Sequence, residues 1–237
     1  MIPTSIDGTD ITGATIDGTD VQEITVDGQT VFTAGPPVPQ PDLHYTFSET
    51  SGSTVADVTG NGNTGIVNGS TNLNVTGEIG SGVEFPGVSG SNIEPGDIID
   101  ESEGTFTFYA KVSSRPNRFI GVIDNSIDGN DWEAWYDDNA GGFNWRPGST
   151  GISIGTLNNE TVFKHFALTW KENDVAEIYI NGVLQASSST GSLDPAATTF
   201  IGQGNSGNGP SGWTVDEFKH FNRKLTSTEI QTVYNNP

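Results

Sequence analysis

Phe166, Leu168 and Trp170 are each separated by one small residue, and Ile178 and Ile180 resume the alternation beyond the polar run Lys171–Asp174. A period of two predicts two half-buried antiparallel strands. Asn181–Gly182 tolerates positive φ at both positions of a tight turn, so it should join Glu177–Ile180 to Val183–Ala186 as a hairpin. Near the end the pattern changes. Thr226 and Glu229 form a T-x-x-E capping box, with Leu225 placed to staple onto Ile230, which predicts a short helix over Ser227–Tyr234 plugging one end of a sandwich. Elsewhere, abundant Gly, Asn, Ser and Thr argue for many short strands joined by turns. Hydrophobic residues make up 32% of the chain, enough for a single core of about 190 residues.

The first 34 residues follow a different rule. Ile6-Asp7-Gly8-Thr9-Asp10-Ile11 recurs as Ile16-Asp17-Gly18-Thr19-Asp20-Val21 and, more loosely, as Val26-Asp27-Gly28-Gln29-Thr30-Val31. Each copy reads as a strand, an Asp-Gly turn and a returning strand. Turn chemistry explains the Asp-Gly pairs better than calcium loops, because repeats of the RTX type are nine residues long and richer in glycine. Isolated hairpins are marginal in water, so residues 1–34 are expected to pair with neighbouring chains. Residues 35–41 contain Pro36, Pro37, Pro39 and Pro41, which favours a stiff polyproline II spacer of roughly 20 Å. The expected division is therefore 1–34 for attachment or oligomerisation, 35–41 as linker, and 42–237 as a folded domain.

Charge narrows the function classes. Thirty Asp and Glu against nine Lys and Arg leave a formal charge of −21. Such a surface repels itself in dilute buffer and is largely screened in molar salt, where the Debye length is about 3 Å. Few lysines and no cysteine fit a halophilic source. Nucleic acid is excluded as a partner because phosphate binding needs clustered Lys and Arg. No apolar run reaches the roughly 18 residues needed to span a bilayer, and Met1–Asp10 has neither a basic n-region nor an apolar h-region. The protein is expected to stay where it is made or to travel within an assembly.

Three separated stretches, Leu43–Gly65, His165–Ser187 and Trp213–Asn235, resemble the laminin G-like domains of the concanavalin A-like lectin superfamily. The resemblance implies an all-β antiparallel jelly-roll sandwich over Asp42–Pro237, used for binding glycans or proteins. It also implies a structural Ca2+ ion between the loop Ala56–Asn63 and the acidic pair Asp216-Glu217. Asp57 and Asp216 would be side-chain ligands, and Asn61 and Gly62 would lend carbonyls. The alternative is that Asp57 and Asn61 stabilise a tight turn through Asx hydrogen bonds. The repeats, as in Val21-Gln22-Glu23-Ile24-Thr25-Val26-Asp27-Gly28, resemble N-terminal segments of structural proteins in tailed viruses of haloarchaea.

A ligand-binding candidate lies in Asp131–Asp138 and Phe143–Arg146, which concentrate three Trp, one Tyr and one Phe among hydrogen-bonding groups. Aromatic faces meet the C–H face of a pyranose while carboxylates and amides meet its hydroxyls. Strand parity sends about half of these residues, Trp132, Ala134 and Tyr136 among them, to the core. Trp135, Trp145 and Arg146 are the expected ligand contacts, with the loop Gly202–Gly212 as a rim. Catalysis has no visible carrier. No E-x-D-x-x-E pair is present, Glu101 and Glu103 read as loop residues, and there is neither cysteine nor GxSxG. His44, His165 and His220 are expected to pack rather than to ligate zinc. The resulting expectation is a non-enzymatic, oligomeric virion protein, the alternatives being a capsid decoration or turret protein without host binding and a carbohydrate-binding module of a secreted halophilic protein. Residues 1–34 would contact other virion proteins, and the sandwich a host surface glycan or S-layer glycoprotein, without membrane insertion.

Overall fold

The computed structural model describes residues 37–237 apart from 87, 89, 96–101, 113–119, 125–131, 138–141, 156, 158–160, 194–198 and 203–210, and the backbone of six strands within 1–36. Two compact units separate at Pro39. The first holds three antiparallel pairs: β1 (Ser5–Ile6) with β2 (Thr9–Asp10), β3 (Thr15–Ile16) with β4 (Thr19–Asp20), and β5 (Glu23–Val26) with β6 (Gln29–Thr33). These are the hairpins read from the ten-residue period. Their Asp-Gly turns, with Gly35 and Pro36 of the linker, lie outside the described residues.

The second unit begins with β7 (Leu43–Tyr45), β8 (Thr54–Val55), β9 (Gly65–Asn68), β10 (Asn72–Thr76), β11 (Ser81–Pro86), β12 (Asn92–Glu94), β13 (Glu103–Val112) and β14 (Ile120–Asp124). It continues with β15 (Glu133–Asp137), β16 (Gly142–Arg146), β17 (Ile152–Ile154), β18 (Lys164–Lys171), β19 (Val175–Ile180), β20 (Val183–Ser189), β21 (Phe200–Ile201), β22 (Ser211–Phe221) and the helix α1 (Ser227–Asn235). One sheet runs β10-β11-β22-β13-β18-β19-β20, with β7 also on β22. The other runs β17-β16-β15-β14-β21-β12-β9-β8. Every pairing is antiparallel, so the unit is an all-β sandwich.

Alternation explains which side chains fill it. Phe166, Leu168 and Trp170 of β18 meet Phe106 and Phe108 of β13 and Trp132 and Trp145 of the facing sheet in one buried cluster. Trp145 lies 6.1 Å from Trp132 and 5.9 Å from Trp170, ring to ring. Asn181 and Gly182 adopt φ of 50° and 76°, as a type I′ turn requires, and Asn181 Oδ1 accepts the His165 amide at 2.9 Å. The helix starts where the capping box places it, with both reciprocal hydrogen bonds between Thr226 and Glu229 formed. It does not plug an end. Leu225, Ile230 and Val233 pack on Ala167, Tyr179 and Phe221, which the β-alternation turns to the outer side of the first sheet.

Gly104 sits opposite Trp170 in the β13–β18 register, and a Cβ there would enter the space of the indole carbons Cζ2 and Cη2. Since that tryptophan is clamped by its neighbours, Gly104→Ala should lower stability by about 1–3 kcal/mol, read as a shift in the denaturant midpoint. An unchanged midpoint would show that the indole can move aside.

Candidate functional site

Strands β15 and β16 pair with Glu133 opposite Arg146, Ala134 opposite Trp145, Trp135 opposite Asn144 and Tyr136 opposite Phe143. Directly opposed residues of an antiparallel pair share one face of the sheet. Ala134 and Tyr136 are buried in the core, so Trp145 and Phe143 must be too. Trp145 is fully buried, and its Nε1–H donates to the Thr169 carbonyl at 3.2 Å. The expectation that Trp145 contacts ligand is therefore corrected: its place opposite Ala134 makes it a core residue.

Trp135 and Arg146 fall on the other face and are only half-buried. The Arg146 guanidinium carbon lies 5.0 Å from the Trp135 ring centroid, and Arg146 Nη2 lies 3.8 Å from Glu133 Oε2. Asn144 stands between Trp135 and Ser153 in register, and the Ser153 hydroxyl donates to Asn144 Oδ1 at 2.5 Å. On the far side of Trp135, strand β14 contributes Gly121. The result is a shallow face built on a sheet, with an aromatic ring, a guanidinium, a carboxylate, an amide and a hydroxyl within one or two strand spacings. Asp131, Asp138 and most of the Gly202–Gly212 rim lie outside the described residues.

The acidic sites expected to hold calcium are arranged otherwise. Asp57 Oδ1 accepts the amides of His44 at 3.2 Å and Thr59 at 3.0 Å and the Thr59 hydroxyl at 2.6 Å, while Oδ2 accepts the Asn63 amide at 3.2 Å. Burial pushes this carboxyl up, but the hydrogen bonds outweigh it and hold it below the usual range. Asn61 donates its side-chain amide to the Asp42 carbonyl at 2.9 Å, and Gly62 turns the exposed loop with φ of 87°. Asp216 is fully buried, and its carboxylate accepts the Ile79 amide at 2.8 Å and its neighbour Glu217's at 2.8 Å. Burial raises it to about 6 despite those amides. Thus Asp57 folds its own loop and Asp216 ties the β10–β11 turn to β22. The two carboxylates share no hydrogen-bonding partner, and no three His, Asp or Glu side chains gather as a metal cage, among the described residues. In this arrangement the oxygens of Asp57 and Asp216 are taken up by backbone amides and the Thr59 hydroxyl. The Asx-turn alternative accounts for Asp57, whose Oδ1 accepts the Thr59 amide two residues on, whereas Asn61 reaches back to the Asp42 carbonyl instead.

Glu217 shows what the sequence concealed. A bulge between β13 and β22 gives it φ of 49° and turns it from its strand neighbour Asp216 toward His44 and Lys219. Its Oε2 lies 2.6 Å from His44 Nε2 and 3.6 Å from Lys219 Nζ. Burial alone would raise Glu217, and these partners hold it below its ordinary value instead. His165 and His220 are buried, the latter stacked on Trp170 with ring centroids 6.1 Å apart. Burial pushes His165 down to about 3, with a smaller contribution from Lys219.

A family model described as the concanavalin A-like lectin/glucanases superfamily, of laminin G type, matches residues 77–231, more than half of the chain. The chain belongs to this superfamily. Its lectin-like sandwich is similar to the binding domain of Paraclostridial Mosquitocidal Protein 1, at TM-score 0.64 and 17% identity over 82% of this chain and 51% of that one. It is similar to the binding domain of botulinum neurotoxin serotype G, at TM-score 0.67 and 16% identity over 83% of this chain and 51% of that one. Trypanosoma rangeli sialidase gives TM-score 0.66 and 18% identity over 90% of this chain and 35% of that one. The superfamily member thus spans about half of the length of two of these structures and about a third of the other, and at such identities the likeness is one of fold. No curated protein matches the chain.

Proposed function

We propose that the chain is a non-catalytic recognition protein whose lectin-like sandwich binds a surface glycan through the face bearing Trp135 and Arg146. The observation that carries this reading is the pairing of an accessible indole with a guanidinium, a carboxylate and an amide on a rigid sheet, the mixture that sugar recognition uses. Two of the similar structures are binding domains of toxins, which supports recognition as the use of this fold. The acidic pair Asp216-Glu217 is committed to backbone amides and to His44 and Lys219, which leaves it no role as acid and nucleophile.

In the same proposal the setting is a virion. The hairpins of 1–34 join other virion proteins, several copies assemble, and the sandwich meets a host glycan or S-layer glycoprotein at high salt. Multivalency makes weak sites on such an assembly effective, and the charge of −21 suits molar salt. The test is binding of the full chain to intact haloarchaeal cells and to their purified surface glycoprotein in molar salt. Saturable binding is expected. Trp135→Ala should weaken it about 5- to 150-fold, by the loss of roughly 1–3 kcal/mol of stacking, with little change in the unfolding midpoint. Absent binding by the parent chain would leave particle decoration as its role. A chelator arm separates calcium from glycan recognition, since binding lost on chelation would return an ion to this domain.

A further inference from the structure

Strand β20 ends the first sheet, pairing with β19 and with no other strand among the described residues. We propose that this edge is where two copies of the chain meet, β20 against β20 about a two-fold axis, so that the sandwich itself adds an interface to the assembly. The inference goes beyond the glycan-binding reading and stands whatever the Trp135 face takes.

An edge strand presents a row of N–H and C=O groups to whatever comes beside it, and proteins blunt such rows with charge, proline, bulges or a covering loop. β20 carries neither a charge nor a proline, and no charged residue occurs from Ile178 to Leu193. Val183 is 58% exposed and Leu184 48%. The strand is stopped at both ends. Near the turn a bulge at Gln185 sends that side-chain amide back to the Val183 carbonyl at 3.0 Å, and at the other end the Thr150 hydroxyl donates to the Ser189 carbonyl at 3.4 Å. Between these stops Ala186, Ser187 and Ser188 run regularly opposite Ile178, Glu177 and Ala176. The opposite edge of the same sheet is blunted more fully: β10 is bulged, with Asn74 at φ of 61°, and its Asn72 donates to the acidic neighbour Glu84 at 3.0 Å.

Charge decides the occupant. Each copy carries −21, so two copies approach closely only where neither presents unpaired acid. The carboxylate opposite Ser187 on β19 belongs to Glu177, and Lys224 Nζ neutralises it at 3.0 Å. Molar salt screens charge attraction beyond about 3 Å, whereas a backbone ladder flanked by Val183 and Leu184 keeps its strength there. An antiparallel strand is also complementary to itself. Turned about an axis through Ser187, Ala186 of one copy faces Ser188 of the other, and the reverse, so the contact closes at two copies and does not propagate.

The sequence has no cysteine, so a single introduced one reports the contact. Ser187→Cys in the full chain, air-oxidised in molar NaCl, should give a disulfide-linked dimer as its main product, because residues paired across an antiparallel ladder have Cα atoms about 4.5–5.5 Å apart, within disulfide reach. Val58→Cys should stay monomeric on a non-reducing gel: Val58 is 54% exposed, and its amide ties it to His44 of β7, on the far side of the same sheet. Hydrogen exchange of the unsubstituted chain under the same conditions gives a second reading that needs no variant. Alternate amides of Ala186–Ser188, which face water in a lone copy, should exchange about tenfold or more below their intrinsic rates. Equal crosslinking by the two cysteines, or exchange of those amides at their intrinsic rates, would overturn the proposal. Neither result bears on glycan recognition, which the cell-binding measurement reads by itself.

Discussion

Trp145→Ala is expected to lower the stability of the sandwich by about 3–5 kcal/mol, among the largest effects of any single truncation in this chain. The indole is fully buried, lies within 6.1 Å of Trp132 and 5.9 Å of Trp170, and donates to the Thr169 carbonyl across the sandwich. Truncation leaves a cavity between two rings that are themselves held by their own strands, and it removes the indole donor from the Thr169 carbonyl. The contrast with Trp135→Ala is the informative part. One tryptophan governs the denaturant midpoint and the other, on the next strand and the opposite face, governs binding. If Trp145→Ala lost binding while keeping its midpoint, the β15–β16 register described above would be wrong.

The second expectation concerns pH, because two buried groups act in opposite directions across the same window. Asp216 holds its proton up to about pH 6 in the folded protein and releases it near 3.8 when unfolded. Between those values the folded state binds more protons, so stability falls as pH rises from about 4 to about 6, by about 2–3 kcal/mol. His165 is neutral in the folded protein down to about pH 3, whereas the unfolded chain takes up a proton below 6.5. Its contribution is present above 6.5 and is lost on acidification, by about 3 kcal/mol on reaching pH 4. From pH 6 to pH 4 the two largely offset one another.

Substitution separates them. Asp216→Asn should remove the gain on acidification, making the variant lose stability between pH 6 and 4 more steeply than the parent by about 2–3 kcal/mol. His165→Gln should do the reverse. Denaturant midpoints for the three proteins at pH 4, 5, 6 and 7 measure the slopes, and any constant offset from the lost amide contacts of Asp216 drops out. Parallel profiles for parent and Asp216→Asn would show that this carboxyl does not titrate in the window.

Much of the fold could be read from local chemistry. The alternation in Phe166–Trp170, the Asn181–Gly182 turn and the Thr226–Glu229 cap each carry their geometry within a few residues, and the structure forms all three. Parity within one strand was legible as well, since Trp132, Ala134 and Tyr136 do face the core. Parity between strands was not. Whether Trp145 shares a side with Ala134 or with Trp135 depends on the register of β15 on β16, which no local signal fixes. The same limit hid the fate of Asp216 and Glu217. A bulge in β22 separates these sequence neighbours, and the amides of the Gly77–Gly80 turn claim the first while His44 and Lys219 claim the second. The helix was found and its docking place was not, because its apolar stripe matches any apolar surface, and the patch of Ala167, Tyr179 and Phe221 comes together only after the four strands β22, β13, β18 and β19 have paired.

Strand β22 pairs with β13 along one edge and with both β11 and β7 along the other, so Phe218, Lys219 and His220 meet Tyr45, His44 and Leu43 across most of the chain. During synthesis β7, β11 and β13 must therefore wait for residues 211–221 before their shared sheet can form. Such long-range pairing makes folding slow and exposes the waiting edges in the meantime. The order of assembly puts the keystone last, and a nascent chain halted before Ser211 carries three strands with no central partner to join them.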